Sequence, residues 1–262
     1  MDIIQTLAQQ LNLTAEQVGK TVQLIDEGNT IPFIARYRKE VTGSLDDSVL
    51  RTLDEKLTAL RNLAQRKQEV QDLIGAQGKL TEEVRAAIER AATVTEVDDI
   101  YRPFRPKRKT RASVARERGL EDLAILLFAQ EKSYTPSIEE QAARFVDPER
   151  EVPDVAAALQ GAMDIVAEEV SDNADYRREL RRLTFDAGSL TSKAAKEEDS
   201  VYAMYYDFSE PLRKLPGHRI LAINRGEKEE FLKVALTVPE DVVLGYLYNR
   251  VLSGNRSPAE PY

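Results

Sequence analysis

DDSVLRTLDEKLTALRNLAQRKQEVQDLIGAQ, residues 46–77, decides the fold class of this chain. Leu53, Leu57, Leu60, Leu63, Val70 and Ile74 recur every three or four residues, which is the period of one helix face and not of a strand. A polar gap at Arg66–Lys67 interrupts the stripe, and Gly75 and Gly78 mark its end. The spacing predicts a single long helix from Asp46 to about Gln77.

The same period extends outward in both directions. Upstream, Ile3, Ile4, Leu7 and Leu11 line a first short helix, and Thr14 with Gln17 forms a capping-box pattern for a second. Gly28 ends that helix, and Pro32 stands early in a third, where the missing N–H costs least. Downstream, Thr81 caps a helix whose positive first turn carries Glu82 and Glu83. Leu120 to Ala129 reads as a buried helix. Pro153 to Ala187 reads as a second long spine helix, with Val155, Leu159, Met163, Val166 and Val170 facing inward. After Ser200 the character changes. Tyr202, Tyr205, Tyr206 and Phe208 read as a packing seam, with a stacking platform as the alternative, and Arg219–Asn224 and Phe231–Val238 read as a β-hairpin near 218–238, turning at Arg225-Gly226-Glu227-Lys228. Pro239 starts a final helix, which ends near Ser253-Gly254. The expected fold is mainly α, with a helical domain over 1–200 and a mixed segment over 201–262. Residues 255–262 run into Pro258 and Pro261 with no closing element, as a cut in a longer chain would.

Composition narrows the function. Hydrophobic residues make up 42%, enough for a packed core, and the absence of Cys rules out disulfides and thiolate metal sites. A single His218 excludes any two-His metal site and is read as a turn residue at a strand start. MDIIQTLAQQ lacks the cationic start of a signal peptide, and no run of about 18 apolar residues occurs, so a cytoplasmic protein without membrane contact is expected. No phosphate-cradling glycine loop and no nucleophile elbow is found. A non-enzyme without metal or cofactor follows as the expectation.

Net charge is −8, yet Arg102–Arg118 holds eight Lys and Arg against one acid. Arg102, Arg105, Lys107, Arg108, Lys109 and Arg111 are the candidate nucleic-acid contacts, because several close cations neutralise phosphates and release counterions. Pro103 and Pro106 favour an extended loop, and Tyr101 and Phe104 could stack on bases. The competing reading lays the loop on the protein's own carboxylates, with Tyr101 and Phe104 in the core. Arg36-Tyr37-Arg38-Lys39 is a shorter cluster, read first as cations at a helix C-terminus, with a nucleic-acid contact as the alternative.

Three strings carry a resemblance: NTIPFIARYRKE (Asn29–Glu40) followed by Thr42-Gly43, DIYRPFRPKRKTRA (Asp99–Ala112) and PGHRILAINRGEKE (Pro216–Glu229). In these, and in their order, the chain resembles the N-terminal part of the Tex family of bacterial transcription accessory proteins. The resemblance implies a helix-turn-helix-like unit here, and ribonuclease-H-like, helix-hairpin-helix and OB-fold RNA-binding domains beyond it. It implies that the main grip on RNA or DNA lies in those later domains. Two functions fit: a non-catalytic scaffold module of a nucleic-acid-binding protein, or a protein-interaction module docking on the transcription machinery.

Overall fold

The computed structural model describes residues 2–106, 109–196, 198–254 and 256–262. The chain is mainly helical with one small antiparallel sheet, and it divides into two compact units, Met1–Phe104 and Arg105–Tyr262. The change of character near residue 200 falls inside the second unit.

The first unit is built along one helix. Its elements are α1 (Ile3–Leu11), α2 (Ala15–Asp26), α3 (Ile31–Tyr37), α4 (Lys39–Thr42), α5 (Asp47–Ala76), α6 (Glu82–Arg90) and α7 (Val94–Tyr101). The expected long helix is α5. Asp46 caps it by accepting from the Val49 N–H, and Thr14 and Thr81 cap α2 and α6 as their sequences indicate. Leu53 and Leu57 of α5 pack with Leu7, Val18 and Val22 of α1 and α2, while Leu63, Val70 and Ile74 pack with Ile88, Val97 and Tyr101. The spacing of apolar side chains along one spine thus sets where the shorter helices sit.

The second unit holds α8 (Arg111–Glu117), α9 (Glu121–Ala129), α10 (Ile138–Ala142), α11 (Val155–Asp172), α12 (Ala174–Ala187), β1 (Ser189–Ala194), β2 (Asp207–Pro211), α13 (Gly217–Lys228), β3 (Leu232–Thr237) and α14 (Glu240–Val251). The helix expected over 153–187 is two helices. Asn173 leaves the helical region at φ −65, ψ 117, and its side chain accepts from the N–H groups of Asp175 and Tyr176, starting α12. An interior Asn that competes for backbone N–H groups is the physical cause of the break. The buried face of α11 is Ala158, Leu159, Ala162 and Ile165. Val155, Met163 and Val166 are half-buried at the edge of that core, so the inward stripe lies beside the expected one, with Leu159 common to both.

The hairpin near 218–238 is also corrected. β3 is a strand as expected, but Arg219–Asn224 belongs to α13. The sheet order is β2-β1-β3, both pairings antiparallel, with Thr191 opposite Ser209 on one side and Ala235 on the other. Ile223 and Gly226, three apart, are the buried positions of α13, so helical packing overrides the strand preference of its β-branched residues. Gly226 is not a turn residue. It stands helical against Leu232 and Tyr202, where an added Cβ would come within 2.6 Å of Leu232 Cδ1. Tyr202 and Tyr205 are buried with Ile223 and Leu232, which makes the aromatic cluster the packing seam that was expected. His218 sits exposed in the first turn of α13 and not at a strand start.

Residues 257–262 are also packed. Ala259 enters the α8–α11 core, Ser257 Oγ donates to the Glu131 carbonyl at 2.6 Å, and the Tyr262 hydroxyl meets Glu139 at 2.7 Å. Gln130, with φ 46, bonds both the Val251 carbonyl and the Ser253 N–H, and so ties the stretch after α14 to the end of α9.

Candidate nucleic-acid interface

The basic segment begins where α7 ends. Tyr101, in the last turn of α7, is buried, and the Arg66 guanidinium carbon lies 5.7 Å from its ring centroid. Arg66 is fixed in turn by Asp98 at 2.7 Å and Glu69 at 3.2 Å. These carboxylates hold Arg66 above its ordinary pKa, the hydrogen bond to Asp98 contributing most, so it stays a cation. Phe104 packs half-buried on the same cluster, and its carbonyl accepts from Gln77 Nε2 at 3.0 Å. Tyr101 is therefore part of the first unit's core, and Phe104 packs partly exposed at its edge.

The cations divide into two sets. Arg102, in the 3-10 turn Arg102–Phe104, is exposed and belongs to the first unit. In the second unit, Arg105 and Lys109 are exposed and make no ion pair or hydrogen bond among the described residues. Arg111 opens α8 with 86% of its side chain exposed and its Nε 3.6 Å from Asp164. Lys107 and Arg108 lie outside the described residues.

Arg116 and Arg118 turn the other way. Arg116 reaches Glu168 at 2.7 Å, Glu169 at 2.8 Å and Glu121 at 3.6 Å. Burial works against its charge, but the hydrogen bond to Glu168 and the three surrounding carboxylates outweigh that and raise its pKa. Glu168 also accepts from the hydroxyl of Thr110, whose side chain caps α8 in a capping box with Ser113. Arg118 pairs with Glu151. Among the described residues, then, Arg105 and Lys109 before α8 are exposed without an ion pair, whereas Arg116 and Arg118 at its end bind the protein's own acids. Thr110–Ser113 capping makes the difference, because it starts a helix that carries Arg116 onto α11.

Sequence reading missed the aromatic partners of the second cluster. At the end of α3, Arg38 Nη1 donates to the Tyr37 carbonyl at 3.1 Å, as a cation at a helix C-terminus should. Its guanidinium also covers the Phe33 ring at 5.1 Å, and Arg36 lies 6.0 Å from the Tyr37 ring centroid. The i, i+4 spacing of Phe33 and Tyr37 was the available signal.

Among the described residues no group of three or more His, Cys, Asp or Glu is placed to hold a metal ion. No described helix is long and apolar enough to cross a membrane.

Two family models match this chain. Residues 1–75 match the Tex-like protein N-terminal domain, and residues 133–249 match the Tex central region. The chain belongs to the Tex family. It is 43% identical to Protein tex of Bordetella pertussis over 243 residues, covering 92% of this chain and 30% of that protein. It is 39% identical to the Transcriptional accessory protein Tex of Neisseria gonorrhoeae over 244 residues, covering 92% and 32%. A human relative, S1 RNA-binding domain-containing protein 1, is 30% identical over 249 residues, covering 92% and 25%. The chain spans about a third or less of the length of these relatives. In this Tex chain the first family model covers α1 to most of α5, and the second runs from before α10 to α14.

Proposed function

We propose that this chain is the N-terminal scaffold module of a nucleic-acid-binding transcription accessory protein, non-catalytic and cytoplasmic. Its family membership, with a relative named Transcriptional accessory protein Tex, carries the reading. The human relative's name refers to RNA binding, which supports an RNA-directed role for the full-length protein. The helix-turn-helix-like unit implied by the resemblance belongs to this proposal. Within the module, Arg105, Lys109 and Arg111 offer weak, sequence-independent phosphate contact, and Arg102, Lys107 and Arg108 extend the same cationic stretch of chain. Phosphate contacts position a nucleic acid without reading its bases.

The test is a titration of fluorescent single-stranded RNA and duplex DNA with the chain at rising salt. Weak binding at low salt, largely gone at about 0.15 M, is the expected outcome, because few phosphates are neutralised and screening is strong there. Absence of binding at low salt overturns the contact. A second reading, a module that docks on the transcription machinery without touching nucleic acid, is favoured by an apolar groove in the second unit. It has a volume of about 870 Å³ and is lined by Met163, Val166, Val170, Leu180, Phe185 and Leu236.

A further inference from the structure

The end of α3 carries an arrangement that the basic segment does not. Phe33 and Tyr37 sit one helical turn apart, with ring centroids 5.3 Å apart and planes inclined at 47°. The Arg38 guanidinium lies over Phe33 and the Arg36 guanidinium near Tyr37, so the two rings are flanked by two cations. Tyr37 is 55% exposed, and Arg36 and Lys39 are exposed beside it.

The arrangement is held from beneath. Ile34, fully buried, anchors α3 in the core with Leu24, Leu45 and Leu50. The chain leaves α4 through Gly43 at φ 69, where an added Cβ would come within 2.8 Å of Gln17 Nε2. Arg38 is fixed on two sides, by the Tyr37 carbonyl and the Phe33 ring. A platform whose parts are already ordered loses little freedom when a ligand arrives.

Arg36, Arg38 and Lys39 make no ion pair among the described residues, although Glu40 follows directly in sequence. The helix-bridging arginines of the same unit behave differently. Arg61 binds Asp26 through two hydrogen bonds of 2.7 and 2.8 Å, and Arg66 binds Asp98 and Glu69. Three cations that form no ion pair among the described residues, around an exposed ring packed beside Phe33, suit a flexible polyanion with flat faces. Bases stack on aromatic rings regardless of sequence, and phosphates pair with the flanking cations. A duplex keeps its base faces stacked inside and cannot offer them to Tyr37.

We propose that Phe33, Tyr37, Arg36, Arg38 and Lys39 form a contact site for single-stranded RNA. The proposal rests on the nucleic-acid reading above but uses residues of the first unit, separate from Arg105, Lys109 and Arg111.

The chain contains no Trp, so Tyr37→Trp introduces a single indole reporter at the platform. Tyr248→Trp, at a residue 57% exposed in α14, serves as the control reporter. Mixed-sequence RNA of about 12 nucleotides, long enough to span a typical single-strand site, is titrated at low salt. Indole fluorescence should be quenched in the Tyr37→Trp variant and unchanged in the Tyr248→Trp control. Tyr37→Ala should weaken binding by about tenfold, as loss of one stacked base does, while Tyr37→Phe should bind like the parent. Arg36→Gln with Arg38→Gln should lower the salt slope by roughly 0.7 per lost contact on a single strand. If the parent binds RNA while the platform indole is unquenched and Tyr37→Ala binds equally well, this proposal fails alone, and the platform is left to a protein partner. If the parent binds no RNA even at low salt, this proposal and the phosphate-contact reading fail together. Should Tyr37→Ala fail to fold, quenching in the Tyr37→Trp variant decides by itself.

Discussion

Lys67 stands at a polar break in the apolar stripe of α5, and the structure gives that break a reason. The residue is buried, and its Nζ donates to the Glu89 carbonyl at 2.6 Å, one of the last carbonyls of α6 that has no helical partner. Lys67→Met keeps the aliphatic body but strands that carbonyl. A loss of about 2 kcal/mol is expected, the range for a hydrogen bond involving a charged group, measured by urea unfolding; an unchanged midpoint would mean water replaces the ammonium. Asp26 offers a pH-dependent counterpart. The Arg61 hydrogen bonds hold its carboxyl below the ordinary value of 3.8. A group whose folded pKa is depressed contributes stability above its unfolded value and loses it as pH falls through the folded one. Parent and Asp26→Asn should therefore differ slightly in melting temperature at pH 7, the parent being higher. The difference should close as pH drops below 3.8. A gap that persists in strong acid would assign the effect to something other than this pair.

Elements were legible where one local signal was enough. α5 shows its period over 30 residues, and the caps at Thr14 and Thr81 were visible as residue types at the right offsets. Two elements depended on information that composition does not carry. Asn173 interrupts an apolar pattern that continues on both sides, so the period alone runs straight through the break. The sheet was harder still, because β1 (SLTSKA) has little apolar content, and its strand character comes from pairing with β2 and β3 on either side. With the central strand unrecognised, the β-branched residues of α13 supplied a false partner for β3. Gly226 tests the corrected assignment. Leu232 and Tyr202, its neighbours, are themselves buried and cannot yield easily. Gly226→Ala should destabilise by about 1–3 kcal/mol through overpacking. In a hairpin turn the same change would act through backbone conformation and leave the Tyr202 environment untouched. Tyrosine near-ultraviolet circular dichroism should therefore change along with stability, and an unperturbed spectrum would count against the helix-to-strand packing.

Charge is the property that only the whole molecule reveals. Met1–Phe104 has 13 Lys and Arg against 17 Asp and Glu, and Arg105–Tyr262 has 24 against 28, so each unit is net negative by the same amount. Neither unit is a basic domain, and any grip on phosphate must come from cations that the protein leaves unpaired. The run of charge was legible, but which of its cations pair with the protein's own acids was not, because that depends on where α8 starts and which of its residues face α11. This yields a paired prediction. Changing Arg105, Lys109 and Arg111 together to Ala should weaken RNA and duplex binding similarly for all sequences and reduce the duplex salt slope by roughly 0.9 per lost contact. Melting should hardly move, since exposed charges contribute little. Arg116→Ala should do the reverse. Glu168, Glu169 and Glu121 would lose their shared counter-charge, so melting temperature should fall, while nucleic-acid affinity stays level. The two variants separate surface function from internal pairing within a single run of basic residues. If the triple variant melts early and binds as before, the outward cations are structural after all, and the chain's contact with nucleic acid lies elsewhere.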